Sequence, residues 1–386
     1  MPGKHALLNA SSAARWLNCP RSVRLTEHIK DEGSAYAAEG ALAHAVAEAM
    51  LRHYQEHGTI EGWTATEDLT ANEYWYNGMP DDVLPYVEYV IRSYESLGAG
   101  ATLALESKLD FSEYVPEGYG TGDAVIIGSR VLEIVDLKFG TGVMVDAEGN
   151  PQPMLYGLGA LLAYDFIYDI QTVRMTIVQP RLDHIATAEM SVDALLKWAA
   201  ETVRPTAQLA YKGEGDQRAG EWCRWCKLKA TCRVRAEALQ AVVAKRKEAE
   251  LTDEEIAAVL AARDDIKRWL TDLEEEISDR LLKGGTLDGW KMVEGRSNRK
   301  IKDPEKLATA LLDSYSPELI YKPQELQTLT ALEKLIGKKK FAENYGDYVY
   351  KPEGKPTLVP ESDKRPALGS AEADFEFEEA MLNDKR

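Results

Sequence analysis

The sequence predicts an α+β fold, and three observations carry that expectation. Apolar residues recur at helical spacing near the N-terminus: Leu42, Val46, Ala49 and Met50 in residues 36–53, then Val87, Val90, Ile91 and Tyr94 in residues 83–97. The period then shortens to that of strands over residues 103–109, 123–127 and 131–139. Beyond them, helical and extended patterns alternate at residues 153–168, 172–179 and 192–211.

Each element has a local cause. Ser11 and Ser12 are suited to cap a first helix over residues 13–17. Residues 59–80 read as irregular. Gly128-Ser129-Arg130 makes a hairpin-like link between the second and third strands, and Gly140-Thr141-Gly142 ends the third. The helix over 153–168 is apolar nearly all round, so it should be buried. A further helix starts at Thr252, where Thr252 and Glu255 match a capping box. Its stripe runs through Ile256, Val259, Ile266, Leu270, Leu273 and Ile277 to a stop at Gly284-Gly285. Helices are also expected at residues 304–312 and 323–336. The resulting organisation is a core at 1–235, a helical connector at 236–285, a small α+β region at 286–360 and an acidic disordered tail at 361–386.

The formal charge of −18 over 386 residues, taken alone, argues against a general polyanion binder. Its distribution reverses that inference. Residues 59–123 hold thirteen acidic and two basic residues, and residues 366–384 hold six acidic and none basic. The rest is nearly neutral, with a basic patch at residues 218–235 that includes Arg224 and Lys227, interleaved with Trp222 and Trp225. Basic and aromatic residues together suit phosphate contact and base stacking; a solvated face is the plainer reading. The longest apolar run, residues 155–162, is far short of the ~20 residues of a membrane span. The first residues carry no sustained apolar stretch of a signal peptide. A cytoplasmic protein with no membrane association is expected.

Chemistry concentrates in four places. Asp136 and Lys138 stand at i and i+2 of one strand, so they share a face, while Val135, Leu137 and Phe139 pack on the other. A carboxylate that holds a hard cation beside an ammonium that orients a water suits metal-assisted hydrolysis. Asp123 follows Gly120-Thr121-Gly122 at the start of the neighbouring strand, which places a second carboxylate close by; two such groups repel unless a cation or proton lies between them. His44, in Glu39-Gly40-x-x-x-His44 of the long helix, is an available metal ligand. Gln152 and Tyr156, at i and i+4, share a helix face and can hold a phosphate or a base.

The four cysteines are Cys19, Cys223, Cys226 and Cys232, the last three as C-x₂-C-x₅-C. Four thiols with none to spare match one four-thiolate site, for zinc or an iron–sulfur cluster. The spacing does not choose between them.

The ordered set of helix His44, strand Asp123, strand Asp136-x-Lys138 and helix Gln152-x-x-x-Tyr156 resembles the PD-(D/E)XK nuclease superfamily in its RecB-type branch, over about residues 10–235. The resemblance implies a restriction-endonuclease-like core, a central mixed sheet flanked by helices, with a mostly helical C-terminal extension. It implies His44, Asp123 and Asp136 as ligands of Mg²⁺ or Mn²⁺, Lys138 beside the attacking water, and Gln152 and Tyr156 positioning the substrate. Glu106 is a further acidic contributor. The one-plus-three cysteine arrangement resembles AddB-type and CRISPR adaptation nucleases, which implies a structural [4Fe–4S] cluster stapling the N-terminal helix to the segment after the core. The segments Asn9–Pro20, Val293–Arg299 and Gly354–Pro360 resemble an uncharacterised phage-encoded nuclease family. That implies a phage or prophage replication and recombination nuclease in a bacterial host cell, an exonuclease acting on single- or double-stranded DNA ends. Arg224 and Lys227 would contact the DNA; Arg296, Arg299, Lys300 and Lys302 form a basic cluster that suits either a DNA backbone or, as the plainer reading, simple surface charge. The acidic-apolar tail suits docking to a phage single-strand-binding or annealing protein. The alternative is a non-catalytic nucleic-acid-binding or scaffold protein on a degenerate nuclease fold.

Overall fold

The change of hydrophobic period near residue 100 marks entry into a five-stranded sheet. A computed structural model describes residues 6–30, 33–98, 100–164, 167–242, 251–293, 306, 309 and 328–349. The chain divides into two compact units, Met1–Trp290 and Lys291–Arg386. In the first, β1 (Thr102–Asp110), β2 (Tyr119–Ile127), β3 (Val131–Leu137), β4 (Thr172–Gln179) and β5 (His184–Ser191) lie side by side in chain order. Only β3 and β4 run parallel; the other neighbours are antiparallel. A parallel pair needs a crossover, and α6 (Pro151–Tyr164) supplies it.

Helices cover both faces. On one lie α3 (Ala35–His57) and α5 (Met79–Ser96), with Val46, Val83, Val87, Ile126, Val135 and Leu137 buried between them and the sheet. On the other lie α6, α1 (Ala13–Asn18), α7 (Val192–Trp198) and α8 (Arg204–Lys212), around Trp16, Val125, Ile134, Leu158, Met175 and Leu195. The expected α+β architecture is the observed one. The unit also holds the short helices α2 (Ser22–Thr26), α4 (Glu67–Thr70) and α9 (Arg233–Val242) and the 30-residue α10 (Asp253–Leu282).

Alternation reverses inside the β1–β2 pair. Leu103 and Leu105 face α3 and α5, yet Leu109, an even number of residues on, packs on the α6 side. Between them Glu106 adopts a left-handed backbone, with φ of 46°. Across the ladder Ala124 and Ile126 face α3 and α5, whereas a Cβ on Gly122 would meet Leu109 at 2.8 Å on the other side. Glu106 and Asp123 stand opposite each other between the pairs Leu105↔Ala124 and Ser107↔Gly122. The twist turns both carboxylates toward α3, where they line one pocket with His44 and Glu48.

Several expectations shift. Asp123 lies inside β2 rather than at its start, because the glycine-rich stretch is itself strand. Asn9 caps the first turn by accepting from Ser12 N at 2.8 Å, in place of Ser11 or Ser12 acting as caps. The helix expected at 153–168 starts at Pro151, where the Asn150 side chain accepts from Gln152 N at 3.1 Å. Strand β5 has no counterpart in the sequence reading. The Thr252–Glu255 capping box forms, with Oε2 accepting from Thr252 N at 3.0 Å.

Helix α10 attaches to the cysteine segment at one point. Trp269 Nε1 donates to the Ala230 carbonyl at 3.0 Å. Asp272, buried, pairs with Arg235 at 2.6 Å and Lys229 at 2.8 Å. In the second unit, α11 (Leu329–Ile336) is the end of the helix expected at 323–336, and α12 (Lys338–Tyr345) follows it. Most of the helix expected at 304–312, the cluster Arg296, Arg299, Lys300 and Lys302, and the tail at 361–386 lie outside the described residues. Among the described residues, no helix is long and apolar enough to cross a membrane.

Candidate active site

The site forms where β2 and β3 part company. Their last ladder pair is Ala124↔Val135. One residue further, Asp123 replaces the missing backbone acceptor: its Oδ2 accepts from Leu137 N at 2.8 Å. Its Oδ1 lies 3.2 Å from His44 Nδ1 on α3. Burial pushes the His44 pKa down, but the Asp123 carboxylate more than offsets it, and the net shift is upward.

Asp136 and Lys138 share a face, as the strand period requires. Lys138 Nζ lies 2.7 Å from Asp136 Oδ2 and donates to Gln152 Oε1 at 3.1 Å. Gln152 Nε2 in turn donates to Asp136 Oδ1 at 3.0 Å. The amide from the start of α6 thus ties the two charged groups together. Apart from the Lys138 ammonium, the buried Asp136 Oδ2 has no hydrogen-bond partner. Burial raises the Asp136 pKa, with Lys138 partly offsetting it. Burial also works against the Lys138 charge, but Asp136 outweighs it and holds the ammonium protonated.

Glu106 joins this cluster. Its carboxylate, His44 and Asp123 each place a ligand atom within 4.8 Å of the others, a spacing that can hold a metal ion. Burial, then the charges of Asp123 and Glu48, raise its pKa to about 7. Asp136 sits beside this trio rather than in it, interacting with both His44 and Asp123. Under the cluster lies the fully buried ring of Tyr86, its hydroxyl donating to the Val135 carbonyl at 3.5 Å. Glu48, one turn after His44, lines the same pocket; that i,i+4 spacing was its available sequence signal.

Tyr156 is nearly buried, and burial raises its pKa. Its ring occupies the space where a Cβ on Gly120 would stand, 2.6 Å from Cε1. The glycine-rich start of β2 therefore makes room for the tyrosine of α6. Gln152 faces Asp136 and Lys138, so the two residues are drawn toward the carboxylates.

The four cysteines, separated by up to 213 residues, line one pocket with Arg15, Ser22 and Trp222. Cys223 is buried and the others partly so. Burial raises the pKa of Cys223 and Cys226. No three of the thiols meet the 4.8 Å spacing of the His44 trio. The two tryptophans divide: Trp222 lines this pocket and Trp225 is 72% exposed, with Arg224 stacked 5.3 Å from its ring centre. Lys227 donates to the Ile29 carbonyl at 2.8 Å, away from the carboxylates.

A five-stranded mixed sheet flanked by helices, with histidine, carboxylates and lysine gathered where two strands separate, defines an α+β protein with a candidate cation site. The chain belongs to the family described as "Protein of unknown function (DUF2800)", whose model matches residues 5–366. A solved structure titled "Crystal structure of SSO0001" is 15% identical, over 58% of this chain and 96% of its own, with a TM-score of 0.23.

Proposed function

We propose that this chain is a Mg²⁺- or Mn²⁺-dependent deoxyribonuclease of the PD-(D/E)XK superfamily, RecB-type, acting on DNA ends as an exonuclease in phage or prophage replication and recombination. One observation carries the reading. His44 and Asp123 pair at 3.2 Å, Asp136, Lys138 and Gln152 interlock at 2.7–3.1 Å, and the Asp123 hydrogen bond to Leu137 N, the residue between Asp136 and Lys138, brings the two groups side by side. A degenerate scaffold has no reason to keep all five together.

The donor set fits a hard divalent cation: an imidazole, oxygen ligands, and a buried Asp136 oxygen with no hydrogen-bond partner apart from the Lys138 ammonium. His44, Glu106, Asp123 and Asp136 would hold the ion. Once bound, such an ion polarises a phosphoryl oxygen and lowers the pKa of a coordinated water. The rest is done by the protein. Lys138, kept protonated by Asp136, faces developing negative charge on the phosphate. Gln152 holds that lysine and Asp136 in fixed relation, and Tyr156 closes the α6 side.

The cysteine pocket fits a structural cluster in the same reading. It joins α1 to the segment after the core, closing a loop of about 200 residues that is entropically expensive to order.

The test uses end-labelled single- and double-stranded DNA with Mg²⁺ or Mn²⁺, comparing the full chain with Asp136→Ala. Metal-dependent cleavage that the substitution abolishes is expected. Absence of cleavage, or cleavage indifferent to the substitution, rejects the proposal. Visible absorption of anaerobically purified protein, lost in Cys226→Ser, distinguishes the iron–sulfur cluster from colourless zinc.

A further inference from the structure

Glu39, in the helix turn before His44, has no part in the cluster above. It pairs instead with Arg181, whose NH1 lies 3.1 Å from Glu39 Oε1. Arg181 follows the end of β4, at the carboxyl edge of the parallel β3–β4 pair. That edge is where ligands bind in parallel sheets, and it carries Asp136 and Lys138. The guanidinium stacks 4.9 Å above the ring of Phe139, the residue after Lys138. It therefore bridges α3 to the tip of the catalytic strand.

The pairing is incomplete for an arginine. A guanidinium offers five donors in a planar fork that matches a phosphate or carboxylate in bidentate fashion. Here one carboxylate oxygen engages one terminal nitrogen, and the side chain remains 29% exposed. Phe139, only 4% exposed, fixes the plane of the fork from below. The cluster itself sets four carboxylates, Asp123, Glu106, Glu48 and Asp136, against the one ammonium of Lys138, so a phosphodiester backbone gains from a further cation beside it.

We propose that Arg181 grips a backbone phosphate of the DNA next to the scissile bond, and that Glu39 is the resting counter-ion which that phosphate displaces. This rests on the nuclease reading and adds a substrate contact to it. Arg181 would supply binding of ground state and transition state alike, so its loss falls on KM rather than kcat.

The experiment measures kcat and KM on end-labelled DNA with Mn²⁺, over a range of salt, for the full chain and for Arg181→Ala, Arg181→Lys and Glu39→Gln. Arg181→Ala should raise KM roughly tenfold, as for loss of one charge-assisted hydrogen bond. It should also flatten the dependence of log KM on log salt by about 1, since one phosphate contact is lost. Arg181→Lys should keep the salt slope while losing part of the affinity, and Glu39→Gln should lower KM. A structural role would move melting temperature without touching the slope. If Arg181→Ala melts well below wild type, Arg181→Gln against Arg181→Lys gives the same readout with the side-chain stem retained. Wild-type cleavage with unaltered KM and slope in the arginine variants overturns this inference alone. An inert wild type overturns the nuclease reading and this one with it.

Discussion

Replacing Glu106 by glutamine should make the metal-free protein more stable while removing its response to metal. Glu106 is partly buried, opposite Asp123, in a left-handed backbone conformation. Its pKa rises from an ordinary 4.5 to about 7. Between those values the unfolded chain gives up the proton while the folded chain keeps it, so stability falls as pH rises and the full penalty is present above about pH 7. At 1.36 kcal/mol per pH unit the nominal penalty is about 3 kcal/mol. Solvent reaches much of this carboxylate, and screening reduces the figure to about 1–2 kcal/mol. Glu106→Gln, isosteric and uncharged, escapes it. In chelator at about pH 8 its melting temperature should exceed wild type by about 2–5 °C, and at about pH 4, below the unfolded value, the gain should nearly vanish. Added Mn²⁺ should raise the wild-type melting temperature by mass action and leave the variant nearly unmoved. Scanning calorimetry with and without Mn²⁺ at both pH values measures all four cases. A variant no more stable than wild type at about pH 8, or one with the full Mn²⁺ shift, refutes the reasoning.

Three other changes probe the scaffold. Asp272→Ala leaves Arg235, 4% exposed, without its carboxylate, and loss of about 3–5 kcal/mol is expected in denaturant unfolding of the first unit. Gly120→Ala drives a methyl to 2.6 Å from the Tyr156 ring; about 1–3 kcal/mol of destabilisation and slower DNA cleavage should follow, with the stability deficit, but not the cleavage deficit, relieved in Gly120→Ala/Tyr156→Leu. Lys138→Met keeps the stem and removes the charge facing the phosphate, so kcat on DNA should drop by about 10²–10³ with little change in KM.

The Asp136-x-Lys138 pair was legible because its two charged residues alternate with Val135, Leu137 and Phe139, which do pack on the α3 side. The helices α3 and α5 announced themselves through apolar stripes that the structure buries. Strand β5 was hidden because its inward face, His184, Ala186, Ala188 and Met190, is made of small or weakly apolar residues, while Ile185, its one large aliphatic residue, points outward at 47% exposed. Glu106 was underestimated for a different reason. A single left-handed residue inside a strand reverses the face of everything after it, and no side-chain period encodes that reversal. The i,i+4 relation of Gln152 and Tyr156 was visible, but not their attachment to Asp136 and Gly120, which depends on how closely α6 crosses the sheet.

The way Asp123 completes the β2–β3 gap bears on ion choice. Its Oδ2 is committed to Leu137 N, and Asp136 Oδ1 is committed to Gln152. Each aspartate is left with one oxygen to offer, so neither presents an ion with a chelating fork, and a two-handed carboxylate would have to come from Glu106. Ca²⁺ favours seven or eight oxygens and commonly takes carboxylates two-handed, whereas Mg²⁺ accepts six donors at shorter distance and keeps several waters. The hydrogen bonds that hold the sheet and α6 in place thus also limit what the two aspartates can offer before any ligand arrives.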